Sequence, residues 1–302
     1  MRNARALQRL IFGWICLAIL HPVVGIADTV QTADVEIVYE KGTRPLAEEA
    51  LRVYPAVRAE IERTFSWNVD FRPTITFVRD RQAFQKTAGS DIYAAYAVPQ
   101  RYLIVIDAAK ATASPFTVRT TLEHEMCHLL IHRHITKTRV PRWLEEGVCQ
   151  WASRGLSELT LTQGERRFSE AVLADSLMRF SDLWAFPEDE ASIVLAYEQS
   201  KRLIEYISSR YGSDTVRRIL DDMREGYDAD ASVQKNLSLS LSELERDWRA
   251  DLKRRHPWYR FVSDNIYLLL FLIGAMITLY GFLRFVKKKR EYVDDGLDDD
   301  GI

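Results

Sequence analysis

The 302-residue chain lacks several features that would announce a function outright. It has no charge of one sign to spare: 41 Lys and Arg against 43 Asp and Glu leave a net charge of −2, and nothing points to nucleic acid. It has no internal repeats and no Gly/Ser linkers, so its length allows one sizeable domain plus extensions. It has only three cysteines. Cys16 has no lipobox around it, so a lipid-modified N-terminus is not indicated, and two cysteines, Cys127 and Cys149, remain for the domain.

What is present begins with two segments outside that domain. Residues 1–27 read as a signal peptide: Arg2, Arg5 and Arg9, an apolar run over 10–20, then Gly25-Ile26-Ala27 ahead of Asp28. An uncleaved anchor is the alternative, and it gives the same orientation. Residues 266–285 form a second apolar run, long enough to span a bilayer; a buried core helix is the competing reading. Trp258, Tyr259 and Phe261 suit an interfacial belt before it, and Lys287 to Arg290 after it favour a cytoplasmic C-terminus, although Lys253, Arg254, Arg255 and Arg260 lie on the other side. The expected organisation is a signal peptide at 1–27, an exported domain at 28–255, a juxtamembrane linker at 256–265, a transmembrane helix at 266–285 and an acidic cytoplasmic tail at 286–302. Export places the two remaining cysteines in an oxidising compartment.

The stretch 121–149 carries the chemistry. It opens with His124-Glu125-Met126-Cys127-His128, an HExxH motif, and ends in Trp143-Leu144-Glu145-Glu146-Gly147. Residues four apart on a helix share a face, so His124 and His128 can direct two imidazole nitrogens at one ion. Glu125 sits one step round and suits a general base acting on water. Such a motif arises by accident in on the order of one chain in a hundred of this length, so context must support it. Ser114-Pro115 reads as the helix start, and Leu122, Met126, Leu129 and Leu130 give the helix apolar positions to bury. Val140-Pro141 opens a second helix with Leu144, Val148 and Trp151 as its apolar stripe. An acidic residue on the opposite side, Glu146 or its rival Glu145, can close a metal's inner shell. His132 continues the face of His128 but cannot share an ion with His124, because eight helical residues rise about 12 Å. His132 and His134 read as helix-end residues whose charge suits the dipole.

The run PRWLEEGVCQW after an HExxH helix resembles the gluzincin metallopeptidases, specifically the bacterial peptidase MA-like domain. The resemblance implies that Glu146, the glutamate before the glycine, is the third Zn²⁺ ligand. It implies an α+β fold: a small mixed sheet with the HExxH helix, then a mostly helical half, thermolysin-like in arrangement, here with one C-terminal transmembrane helix. Leu195-Ala196-Tyr197-Glu198-Gln199-Ser200, Arg210-Tyr211-Gly212 and Leu244-Glu245-Arg246-Asp247-Trp248 resemble that helical half. Tyr197 resembles the family tyrosine of an A-Y-x-x-S stretch, which implies a phenol donating to an oxyanion; a core aromatic is the other reading. Gln150 stands where some gluzincins carry an acid that orients a ligating histidine. Cys127 and Cys149 flank the ligand residues and can either join the two helices by a disulfide or pack as two small buried residues.

Along the chain, strands are expected at 35–39 and 74–78, with a hairpin of 93–98 and 102–107, its second run interior and its first an edge able to take an extended peptide. Helices are expected at 45–64, 79–87, 165–174, 188–211, 213–225 and from Ser240 or Ser242 to about 255. Asp221 and Asp222 read as a solvated face. These readings combine into a membrane-anchored zinc metallopeptidase acting on a peptide or protein substrate, with no nucleic-acid partner. It would lie on the exported, periplasmic side of a cell membrane, its C-terminus in the cytoplasm. The alternatives are a metallopeptidase fold kept for binding or regulation without turnover, and a zinc hydrolase of non-peptide amides.

Overall fold

The computed structural model describes residues 27–111, 116–154, 161–255, 262 and 265–294. The bulk of the expected signal peptide, the Ser114-Pro115 helix start, most of the linker and the end of the tail lie outside the described residues. The chain divides into two compact units, Met1–Phe168 with Met178–Glu245, and Ser169–Leu177 with Arg246–Ile302.

The first unit is α+β. Its five strands, β1 (Ala27–Gln31), β2 (Glu36–Glu40), β3 (Thr74–Val78), β4 (Ala95–Val98) and β5 (Leu103–Asp107), form one mixed sheet in the order β1-β2-β3-β5-β4. The β2–β3 and β3–β5 pairs are parallel, and the two outer pairs are antiparallel. β3 matches its expected bounds, and alternation explains its burial: Ile75 and Phe77 face the core while Thr74, Thr76 and Val78 do not. β5 is buried on both faces, as its continuous apolar run requires, and β4 is the edge. β1 was not foreseen. It starts at the last residue of the expected signal segment, and only its partner β2 gives it a reason to be a strand.

Helices α1 (Arg44–Phe65), α2 (Arg81–Ala88), α3 (Val118–His134), α4 (Arg142–Ala152), α6 (Glu190–Tyr211), α7 (Ser213–Glu225) and α8 (Ala229–Leu237) belong to this unit, and α5 (Leu161–Leu173) and α9 (Leu241–Arg255) begin in it. α1 packs on α3, α3 on α4, and α4 most extensively on α6. α3 starts at a reciprocal capping box, in which the Thr117 hydroxyl accepts from Thr120 N and Thr117 N donates to the Thr120 hydroxyl. That cap begins the helix. α3 is buried continuously from Thr121 to Ile131, so its ligand face points inward and not at bulk solvent. The α4 stripe also differs from expectation. Trp143 is the core tryptophan, stacked on Phe180 at 5.9 Å between ring centroids, whereas Trp151 is half-buried. Asp221 and Asp222 are not simply solvated: Trp67 Nε1 donates to Asp221 at 2.8 Å, and Asn236 donates to Asp222 at 2.7 Å. Asn236 belongs to α8, a short helix not anticipated from the sequence. Ser240 and Glu243 form the expected box ahead of α9.

In the second unit Arg249 donates to the Leu177 carbonyl at 3.0 Å and Lys253 pairs with Asp175 at 3.0 Å. α10 (Ile266–Asp294) follows; its stretch Ile266–Phe285 is long and apolar enough to cross a membrane, with a mean hydropathy of 2.3 and none of it buried.

One glycine governs the α4–α6 contact. A Cβ on Gly147 would lie 2.6 Å from the Ser200 carbonyl oxygen and 2.7 Å from Ile204, so only glycine lets α4 lie this close to α6. Alanine at a helical glycine ordinarily gains about 1 kcal/mol, but displacing a packed backbone costs about 1–3 kcal/mol. The expected outcome for Gly147→Ala is a net loss of stability, a fall in Tm of roughly 2–8 °C by calorimetry. An unchanged or raised Tm would refute the tight crossing.

Candidate metal centre

The three residues named as ligands from the sequence come together. His124 and His128 are one turn apart on α3, and Glu146 enters from α4. Nε2 of His124 and Nε2 of His128 are 3.1 Å apart, and Oε2 of Glu146 is 3.6 Å from each. All three side chains are buried. Ligand atoms about 2.0–2.1 Å from one tetrahedral centre lie roughly 3.3–3.4 Å from each other, so this triangle has the size that zinc requires. Glu146 Oε2 accepts no hydrogen bond among the described residues. A buried anionic oxygen left in that state is costly unless a cation meets it, and two nitrogens with one oxygen suit zinc. The residues therefore fit the metal.

The other side-chain atoms of His128 and Glu146 are held by neighbours. His128 Nδ1 lies 2.8 Å from Glu145 Oε1. A proton on Nδ1 donated to that carboxylate leaves Nε2 its lone pair for a metal. His132 Nε2 reaches the same oxygen at 3.0 Å, so His132 is tied to the site through Glu145 and is more than a helix-end charge. His134 instead meets the Asn68 carbonyl at 2.9 Å and stacks on Trp67. Glu145, weighed from the sequence only as a rival ligand, thus supports two histidines. Burial opposes its ionisation, but the hydrogen bonds from His128 and His132 hold its carboxyl well below the usual carboxylate range. Burial likewise opposes the charge on Glu146, and Arg142, His128 and His124 together bring its carboxyl down to about 2.

Arg142 was not singled out from the sequence. It is the first residue of α4, one turn before Glu146, and its Nη2 lies 2.7 Å from Glu146 Oε1. The Tyr197 hydroxyl donates to the same oxygen at 3.2 Å. Tyr197 is 1% exposed, packed with Ile193 and Val194, and does not line the cleft. The resemblance implied that its phenol meets an oxyanion; here the phenol meets the Glu146 carboxylate. Gln150 also differs from its expected role. Its side-chain nitrogen donates to the Tyr197 and Glu146 carbonyls at 3.0 and 3.2 Å, joining α4 to α6, and does not reach a histidine. Cys127 and Cys149 are joined in a disulfide with Cα atoms 5.4 Å apart, which ties α3 to α4 beside the ligands.

Glu125, fully buried in α3, contributes to the wall of a cleft of about 260 Å³ whose lining also includes His128, Glu146, Arg142, Tyr93, Tyr96 and Ala97. The last three come from β4 and its approach, so the sheet edge borders the metal site.

A profile of the Peptidase MA superfamily matches residues 91–254, more than half of the chain. The chain belongs to the Peptidase MA superfamily. The match spans β4 to α9 and so contains the two helices of this Peptidase MA protein that carry His124, His128 and Glu146. Solved structures similar to it include an M1 zinc metallopeptidase mutant from Deinococcus radiodurans, at 15% identity and a TM-score of 0.44 over 74% of this chain and 50% of that one. A form bound to a Tyr-Ser-Ala substrate shows 16% identity and a TM-score of 0.43 over the same shares. The chain spans about half the length of these structures. A comparison with curated proteins found no match.

Glu146→Ala should lose zinc at one equivalent of metal. Glu145→Ala should retain it only when zinc is raised about 10–100-fold. Chelator competition on the two purified variants checks this, and wild-type affinity in Glu145→Ala would remove Glu145 from the site.

Proposed function

We propose that this Peptidase MA protein is a zinc-dependent peptidase. The carrying observation is the buried triangle of two imidazole nitrogens and one carboxylate oxygen opening onto a cleft that Glu125 also lines. His124, His128 and Glu146 would hold the zinc. A bound zinc ion lowers the pKa of a water molecule and polarises a carbonyl oxygen. Glu125, next to His124 on α3, takes the proton from the attacking water and returns it to the leaving amine.

The sheet edge supports a peptide as substrate. Asp107 N donates to the Ala94 carbonyl, so by alternation along the β4–β5 ladder the backbone groups of Ala95 and Ala97 face away from β5. An extended peptide can add there as a further strand and bring its carbonyl beside the metal site. An intact Glu125 in the cleft favours turnover over a silent binding fold, which has no need of a base.

The same reading takes residues 1–27 as a signal peptide, 28–255 as the exported peptidase domain, 256–265 as a linker, 266–285 as a membrane span and 286–302 as a cytoplasmic tail. The apolar run at 266–285 and the Lys287 to Arg290 cluster that follows it support this orientation.

Glu125→Gln in the full-length protein should keep one zinc per chain. Hydrolysis of a peptide library should fall about 100–10,000-fold. Full activity in that variant would overturn the mechanism, and a zinc-loaded wild type that cleaves no peptide would favour the binding fold.

A further inference from the structure

The feature that the proposed mechanism leaves unused is the pair of donors on the far oxygen of Glu146. Glu146 is 1% exposed and its two oxygens have different surroundings. Oε2 faces the histidines with no donor of its own. Oε1 takes Arg142 Nη2 at 2.7 Å and the Tyr197 hydroxyl at 3.2 Å, and these two donors are themselves 3.4 Å apart.

Both donors are held from behind. The Arg142 guanidinium lies over the Phe186 ring at 5.7 Å, and Phe186 meets Tyr197 edge to face at 5.1 Å. Tyr197 is fixed on α6, which Gly147 brings against α4. An exposed i,i+4 ion pair on a helix contributes little to stability, but this arginine has a fully buried acceptor and an aromatic shelf, while 43% of its own side chain stays exposed. That geometry serves the orientation of the carboxylate more than the stability of the helix.

We propose that Arg142 and Tyr197 form a positioning clamp that occupies Oε1 of Glu146, so that Glu146 offers a metal ion Oε2 alone. The inference rests on the zinc-site reading above and assigns two residues to it. A carboxylate can bind a metal through one oxygen or two. A charge-assisted hydrogen bond and a phenol on one oxygen disfavour the two-oxygen mode. One-oxygen binding keeps the protein's contribution to three ligand atoms and leaves a fourth position open to water, as a catalytic zinc site needs. Tyr197 thereby acts through Glu146 and is a positioning residue.

The test uses the full-length protein in detergent, with Arg142→Met, Arg142→Lys and Tyr197→Phe. Zinc affinity is measured by chelator competition, and the coordination number by the visible spectrum of the cobalt-substituted protein. Arg142→Met is expected to weaken zinc binding about 10–100-fold and to lower the cobalt absorption intensity, since four-coordinate cobalt absorbs more strongly than five- or six-coordinate cobalt. Tyr197→Phe, which removes one hydroxyl and keeps the core ring, should shift both readouts in the same direction by less, and Arg142→Lys should restore part of the loss. A purely structural role would lower the Tm of metal-free and zinc-loaded protein equally; the clamp predicts that the rise in Tm caused by zinc itself shrinks. Wild-type affinity and spectrum in both Arg142→Met and Tyr197→Phe would overturn the clamp while leaving the peptidase reading intact. A wild type that binds no zinc would overturn both.

Discussion

Two helices bring His124, His128 and Glu146 to a common point, and the contact that sets where the second helix lies is the meeting of Gly147 with the Ser200 backbone. α3 carries both histidines and needs only its own helical repeat to align them. α4 has no such internal guide. Its position comes from the close crossing with α6, from the Gln150 side chain bridging to the Tyr197 carbonyl, and from the Cys127–Cys149 bond to α3. With these three ties made, Glu146 faces the imidazoles and Tyr197 stands behind it.

The site gathers charge in a place that disfavours it. Glu145 and Glu146 are adjacent and both buried, and neighbouring groups hold both carboxyls below their usual range against the cost of desolvation. Leaving one such charge unpaired would cost several kcal/mol. The structure divides the compensation: His128 and His132 meet Glu145, while Arg142 and Tyr197 meet one oxygen of Glu146. The oxygen left over is the one aimed at both Nε2 atoms. In the proposed clamp, the same network that makes the buried carboxylates tolerable also selects which atom is offered to a metal.

Much of this was legible where the controlling interaction is local. The spacing of His124 and His128, the alternation in β3, the edge and interior roles of β4 and β5, the Ser240–Glu243 box and the apolar run at 266–285 all depend on residues a few positions apart. β1 and α8 were not legible, because β1 is a strand through pairing with β2 and α8 is a short helix that packs on α7. Trp143 and Trp151 are equally apolar on paper, and only the position of Phe180 decides that Trp143 is the core residue. Asp221 reads as a surface acid until Trp67, 154 residues away, is found donating to it.

The sequence by itself determined that His124, Glu125 and His128 share one helix, and that an acidic pair follows on the next. Helix periodicity and residue chemistry suffice for that. Only the tertiary structure decided how the acidic pair divides its work, that Tyr197 meets a carboxylate, that Gln150 ties helices and that Arg142 belongs to the site. Glu145 and Glu146 are one residue and about 100° apart on the same helix, so their roles are set by what packs against each side of α4, and that depends on residues far away in the chain.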